Sequence, residues 1–127
     1  MSQNVKISVI DDDDLVRGGI ESLLRSFSYD VDAFASAAEY LASDRLHDHA
    51  CIIADMQMPD MTAVDLQKRL SIDGFSISII FMTSNLTDRL TQRLMEAGAV
   101  AVLRKPFKVE SLIEHLSEAL KRKSEQK

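Results

Sequence analysis

Four consecutive aspartates, Asp11 to Asp14, follow the apolar pair Val9-Ile10, and the first basic residue after them is Arg17. Two unit charges about 4 Å apart repel by about 4 kcal/mol at an effective dielectric near 20. Such a run therefore needs a cation, a helix end or both. Asp55 closes a second apolar run, ACIIAD; Thr83 and Ser84 close a third, ISIIFMTS; Lys105 follows a fourth, VAVL. Brought to one place, these residues would assemble the carboxylates of Asp11, Asp12 and Asp55, the Thr83 hydroxyl and the Lys105 ammonium. Oxygen donors of that kind suit a hard cation such as Mg²⁺, which keeps several waters and takes one or two direct carboxylates. Asp13 and Asp14 have a separate use, as cap and first-turn acids that favour the positive end of a following helix.

The periodicity of the chain supplies the elements that could bring these groups together. Val5, Ile7 and Val9 alternate with Lys6 and Ser8, the period-2 signal of a strand. Leu15, Val16, Ile20, Leu23, Leu24 and Phe27 then recur at helical spacing, although Gly18 and Gly19 each cost such a helix about 1 kcal/mol against Ala. Residues 31–35 alternate again, and Ser36 with Glu39 forms a capping box that opens a second helix through Tyr40 and Leu41. ACIIAD reads as a fully buried strand, followed by the turn-like MQMPDM and a helix carrying Val64, Leu66 and Leu70, with Thr62 as cap and Asp65 three residues later. ISIIFMTS is the most apolar strand; Leu86, Leu90 and Leu94 mark a fourth helix that Gly98 can terminate. After VAVL, a last helix carries an apolar stripe of Val109, Leu112, Ile113, Leu116 and Leu120. Strands alternating with helices imply a mostly parallel sheet with right-handed crossovers and helices on both faces. The expected fold is a doubly wound α/β domain, (βα)5 and flavodoxin-like, with ligands bound outside the carboxyl ends of the strands. Asp11, Asp12, Asp55, Thr83 and Lys105 all fall at those ends.

At 127 residues and 46% hydrophobic composition, the chain is long enough for one domain with a real core. We place that domain at residues 1–123, with 124–127 as a charged tail or the start of a linker. A formal net charge of −5 argues against direct binding to a nucleic-acid backbone. Cys51, inside ACIIAD, reads as a small buried hydrophobe, and one cysteine cannot make a disulfide within the chain. The start of the chain is polar and no apolar run approaches the ~18 residues of a membrane span, so a soluble, cytoplasmic protein with no membrane partner is expected. His47, His49 and His115 read as solvated and receive no chemistry.

The joint pattern of Asp11-Asp12, Asp55-x-x-Met58-Pro59, Thr83-Ser84 and Lys105-Pro106-Phe107 resembles the receiver domain of two-component response regulators. Each motif alone is weak; their spacing together is specific and covers nearly the whole chain. The resemblance implies that Asp55 is the phosphoacceptor, taking a phosphoryl group from the phosphohistidine of a sensor histidine kinase. It implies that Asp12, Asp55 and the backbone carbonyl of Gln57 ligate Mg²⁺, with Asp11 acting through a bound water. Lys105 would hold one phosphoryl oxygen, Thr83 would move its hydroxyl toward another, and the Lys105–Pro106 bond would be cis. These roles suit a reaction that asks for positioning and charge neutralisation more than covalent machinery. The implied output surface spans residues 87–120, serving an output domain, a partner protein or a phosphorylation-dependent homodimer.

Two positions depart from the receiver pattern. Receivers usually carry an aromatic ring or His three residues before the lysine, where this chain has Val102; they commonly place Gly where it has Ala63. An Ala there is penalised if the backbone needs φ > 0, and otherwise marks an earlier helix start. The phosphoacceptor set is thus complete while the aromatic switch is missing. Two versions of the function remain: a stand-alone receiver, or the N-terminal part of a longer DNA-binding transcriptional regulator of the FixJ-type class. A receiver that never accepts phosphate conflicts with the retained Asp55, Thr83 and Lys105. An aspartate-nucleophile phosphohydrolase using Asp11 and Asp13 would leave the Met58-Pro59 and Lys105-Pro106-Phe107 motifs without a purpose.

Overall fold

Apolar alternation carries through into a single sheet. The computed structural model describes residues 5–43, 50–56, 61–72, 74, 77–85, 87–96 and 98–125, with backbone only at 63 and 122–125. Gln57, Met58, Pro59, Leu86, His47 and His49, all named above, lie outside the described residues. The order is β1 (Lys6–Ile10), α1 (Asp14–Ser26), β2 (Asp30–Phe34), α2 (Ala37–Leu41), β3 (Cys51–Asp55), α3 (Ala63–Ile72), β4 (Ser78–Thr83), α4 (Asp88–Glu96), β5 (Ala101–Arg104) and α5 (Val109–Glu125). All five strands are parallel, in the order β2-β1-β3-β4-β5. The chain winds outward from β1 to β2, then crosses back to β3, so strand order reverses between β1 and β3 and opens a crevice at their carboxyl ends.

Because strand side chains alternate, the sheet buries two separate cores. Ile7, Val9, Cys51, Ile53, Ile80 and Met82 face Ile20 and Leu24 of α1 and Leu112 and Leu116 of α5. Ile10, Ile52, Ala54, Ile79 and Phe81 face Tyr40 of α2, Leu66 and Leu70 of α3 and Leu94 of α4. Cys51 is fully buried, as expected of a small hydrophobe. No helix among the described residues is long and apolar enough to cross a membrane.

The caps follow from sequence. Asp13 accepts from the amides of Leu15 and Val16 at 2.9 and 3.2 Å; Ser36 accepts from Glu39 at 3.1 Å. Thr62 and Asp65 satisfy each other's amides at 3.1 and 3.4 Å. α3 begins at Ala63, so the missing glycine marks a helix start. Gly98, at φ 106°, ends α4. Three positions differ from expectation: Leu15, Phe27 and Val109, counted in apolar stripes, are 88%, 48% and 43% exposed. α5 continues through Glu125.

The C-terminus of α1 carries a small cost. Ser28 holds φ 70° while the Tyr29 amide donates to the Leu24 carbonyl at 3.1 Å. That left-handed position after a helix favours glycine. Ser28→Gly is expected to raise stability by about 0.5–1 kcal/mol, read as a shifted urea midpoint at unchanged slope. A drop in the midpoint would show that the Ser28 side chain stabilises the turn.

Candidate functional site

Register and alternation set the polar end of the sheet. Ile10 pairs with Ala54, which puts the following residues, Asp11 and Asp55, side by side at the switch point. Asp11, Asp55 and Lys105 each continue the alternation of side chains facing α1 and α5, namely 7-9-11, 51-53-55 and 101-103-105. Thr83 continues the 79-81-83 alternation on the opposite face. Asp11 is completely buried, Asp55 is 9% exposed and Asp12 is exposed. Carboxylate oxygens of Asp11, Asp12 and Asp55 lie within 4.8 Å of one another.

A buried carboxylate persists only when its lone pairs are used, and Asp11 meets that condition. Its Oδ1 accepts from the Asp13 amide at 2.9 Å and its Oδ2 from Lys105 Nζ at 3.0 Å. Its backbone N–H donates to the Phe34 carbonyl at 3.1 Å. Its own carbonyl accepts from Arg17 Nη1 at 2.8 Å. Lys105 Nζ also lies 3.4 Å from Asp55 Oδ1, and the Lys105–Pro106 peptide bond is cis. Burial lowers the Lys105 pKa, but the hydrogen bond to Asp11 and the charges of Asp11 and Asp55 outweigh it, holding the ammonium above the ordinary lysine range. The lysine is thus a fixed cation at neutral pH.

Three carboxylates facing one ammonium leave two negative charges, which match a divalent cation. The donor set is oxygen alone, suited to Mg²⁺. Asp11 already accepts one hydrogen bond at each carboxylate oxygen. Asp12 has no side-chain partner among the described residues and is open to direct ligation. The third expected ligand, the Gln57 carbonyl, lies outside the described residues.

Thr83 is 4% exposed, and its hydroxyl oxygen accepts from the Asn85 amide at 3.1 Å, capping the loop after β4. Val102 pairs with Phe81 and packs, partly buried, against the α2-α3-α4 core. Asp13, the second carboxylate of the hydrolase alternative, is committed to the N-terminus of α1. Among the described residues, Arg17 is a charged participant that sequence reasoning did not place; its signal was the i,i+3 spacing from Asp14, with which it pairs.

A family model described as "Response regulator receiver domain" matches residues 7–117. The chain is 35% identical over 115 residues to "Response regulator protein TodT" of Pseudomonas putida, covering 91% of this chain and 51% of that protein. It is 34% identical over 126 residues to "Transcriptional regulatory protein FixJ" of Azorhizobium caulinodans, covering 99% of this chain and 60% of that protein. The chain therefore spans about half the length of the first of these curated relatives. Among solved structures, response regulator StyR matches with TM-score 0.89 at 35% identity, over 98% of this chain and 63% of that one. A receiver domain protein from Clostridium thermocellum matches with TM-score 0.86 at 25% identity, over 94% and 97% of the two chains.

Proposed function

The chain belongs to the response regulator receiver domain family, and on that premise we propose that Asp55 accepts a phosphoryl group from the phosphohistidine of a sensor histidine kinase. The observation that supports it most is the placement of Asp55 at the end of the middle strand, 3.4 Å from Lys105 Nζ and within 4.8 Å of the carboxylate oxygens of Asp11 and Asp12. In the transfer, an Asp55 carboxylate oxygen forms the new bond to phosphorus as the bond from phosphorus to the imidazole nitrogen breaks. Lys105 holds one phosphoryl oxygen and orients the carboxylate, and the Thr83 hydroxyl leaves the Asn85 amide to reach another. Asp12, Asp55 and the Gln57 carbonyl would hold Mg²⁺, with Asp11 reached through water; the ion would neutralise charge on the transferring group.

Receiver domains are signalling domains rather than catalysts. In our reading the phosphorylated face acts through residues 87–120 on an output domain or partner, or on a second copy of the chain, within a cytoplasmic transcriptional regulator. The relatives named as regulators are longer than this chain, which supports a receiver, taken as residues 1–123 by our reading of the sequence, that belongs to a longer protein with a DNA-binding part. The test is stoichiometry: acetyl phosphate and Mg²⁺ should yield one acyl phosphate per chain, with no sustained phosphate release from a phosphomonoester. Sustained turnover of the phosphomonoester would mean a hydrolase.

Val102 sets the expected reach of the signal. A phosphoryl group adds roughly −1.5 to −2 charges and three acceptor oxygens, so residues around Asp55, Thr83 and Lys105 must respond. Distal change requires a differential interaction with two states, and an aliphatic side chain packed beside Phe81 has no ring to move. Phosphorylation should therefore give large amide shift changes at 83–85 and modest ones along 109–120. Large changes throughout α5 that persist in Thr83→Ala would overturn this.

A further inference from the structure

We propose that Arg17 is a positioning residue for the cation site, holding the Asp11 carbonyl so that the next residue, Asp12, aims its carboxylate at Asp55. The proposal rests on the reading of Asp11, Asp12 and Asp55 as a Mg²⁺ site. The exposed Asp12 side chain has no partner among the described residues, so its direction is set by its backbone. That backbone is governed by the Asp11–Asp12 peptide, whose oxygen is the Asp11 carbonyl. The Asp11 amide and both carboxylate oxygens are bound by Phe34, Asp13 and Lys105. The carbonyl is bound by Arg17 Nη1 at 2.8 Å.

The guanidinium is itself held at its other end. Arg17 Nη2 pairs with Asp14 Oδ1, and the Arg17 amide donates to the Asp13 carbonyl at 2.9 Å. A planar fork engaged at two points transmits orientation in a way that a single ammonium cannot. The arrangement also keeps a cation close to Asp12 without consuming it, since the guanidinium is directed to a carbonyl and to the outer carboxylate of Asp14. The run of four aspartates thereby divides its labour: Asp11 and Asp12 for the pocket, Asp13 for the helix cap, Asp14 to anchor the arginine.

Charge and geometry make opposite forecasts. Removing a positive charge beside a cation site should tighten Mg²⁺ binding if Arg17 acts only through its field. Loss of positioning should weaken it, by about tenfold on the scale of partners that orient metal ligands. The experiment is calorimetric titration of Mg²⁺ into wild type, Arg17→Met and Arg17→Lys, with metal-free melting to confirm that each is folded. Weaker binding in both variants is expected, because Lys keeps the charge and loses the fork. Unchanged or tighter binding in a folded Arg17→Met overturns the proposal and leaves the site reading standing. If Arg17→Met does not fold, wild-type affinity in Arg17→Lys overturns it equally. Wild type that takes up no Mg²⁺ overturns both.

Discussion

Replacing Lys105 with Met is expected to lower the stability of the metal-free protein by about 3 kcal/mol at neutral pH. The lysine is the basic partner of Asp11, whose side chain is 0% exposed, and lies 3.4 Å from Asp55. Removing it leaves a buried carboxylate with one amide donor and no counter-charge. The loss belongs at the lower end for a broken buried pair because the Lys105 side chain is 22% exposed. A second change, Asp11→Asn, should recover much of it, since the two effects share one interaction. The pH dependence has a definite sign. Lys105 is held above the ordinary lysine range, so its contribution is complete below that range and is lost as the pH rises through the raised value. At neutral pH wild type and Lys105→Met should differ fully, and on raising the pH they should converge under strongly alkaline conditions. Urea unfolding of the four proteins of the cycle measures this; a Lys105→Met loss below about 0.5 kcal/mol, the range of ordinary surface substitutions, would mean that the pair is incidental.

Mg²⁺ at 100 times its dissociation constant should stabilise wild type by about 2.7 kcal/mol, and Asp12→Asn far less. Without metal the order reverses. The exposed Asp12 carboxylate adds a third negative charge to a cluster within 4.8 Å, so removing it should stabilise the metal-free protein by about 1 kcal/mol, the water-screened scale of such a repulsion. Melting curves of both proteins with and without Mg²⁺ should therefore cross. Equal metal-induced shifts in the two would place the cation elsewhere.

How much of this was legible beforehand depends on what local pattern can carry. The strands were readable because alternation and apolar runs are direct consequences of sheet pleat and burial. The site was readable because Asp11, Asp55 and Thr83 interrupt those runs at strand ends, where polar residues have little other reason to collect. Leu15 and Val109 were misread for one physical reason: both stand in the first turn of a helix, at the end of the sheet from which the chain emerges, where helical period is right but no sheet lies underneath. Period reports direction around a helix axis, not where the covered layer stops. The pairing of Lys105 with Asp11, more closely than with Asp55, was out of reach because it spans 94 residues of chain. The role of Arg17 toward the Asp11 carbonyl was also hidden, since an arginine bond to a strand-end carbonyl, unlike a Ser, Thr or Asp helix cap, follows no local residue pattern.

The assignment of Asp55 itself is decided by intact mass. Wild type and Asp55→Asn, each incubated with acetyl phosphate and Mg²⁺, should differ by one phosphate, gained by wild type alone. The Asn variant keeps Asp11, Asp12 and Lys105, so an acceptor elsewhere in the pocket would still be labelled. Equal labelling of the two proteins would show that the phosphoryl group goes to another residue, and the roles given to Lys105 and Thr83 would fall with it.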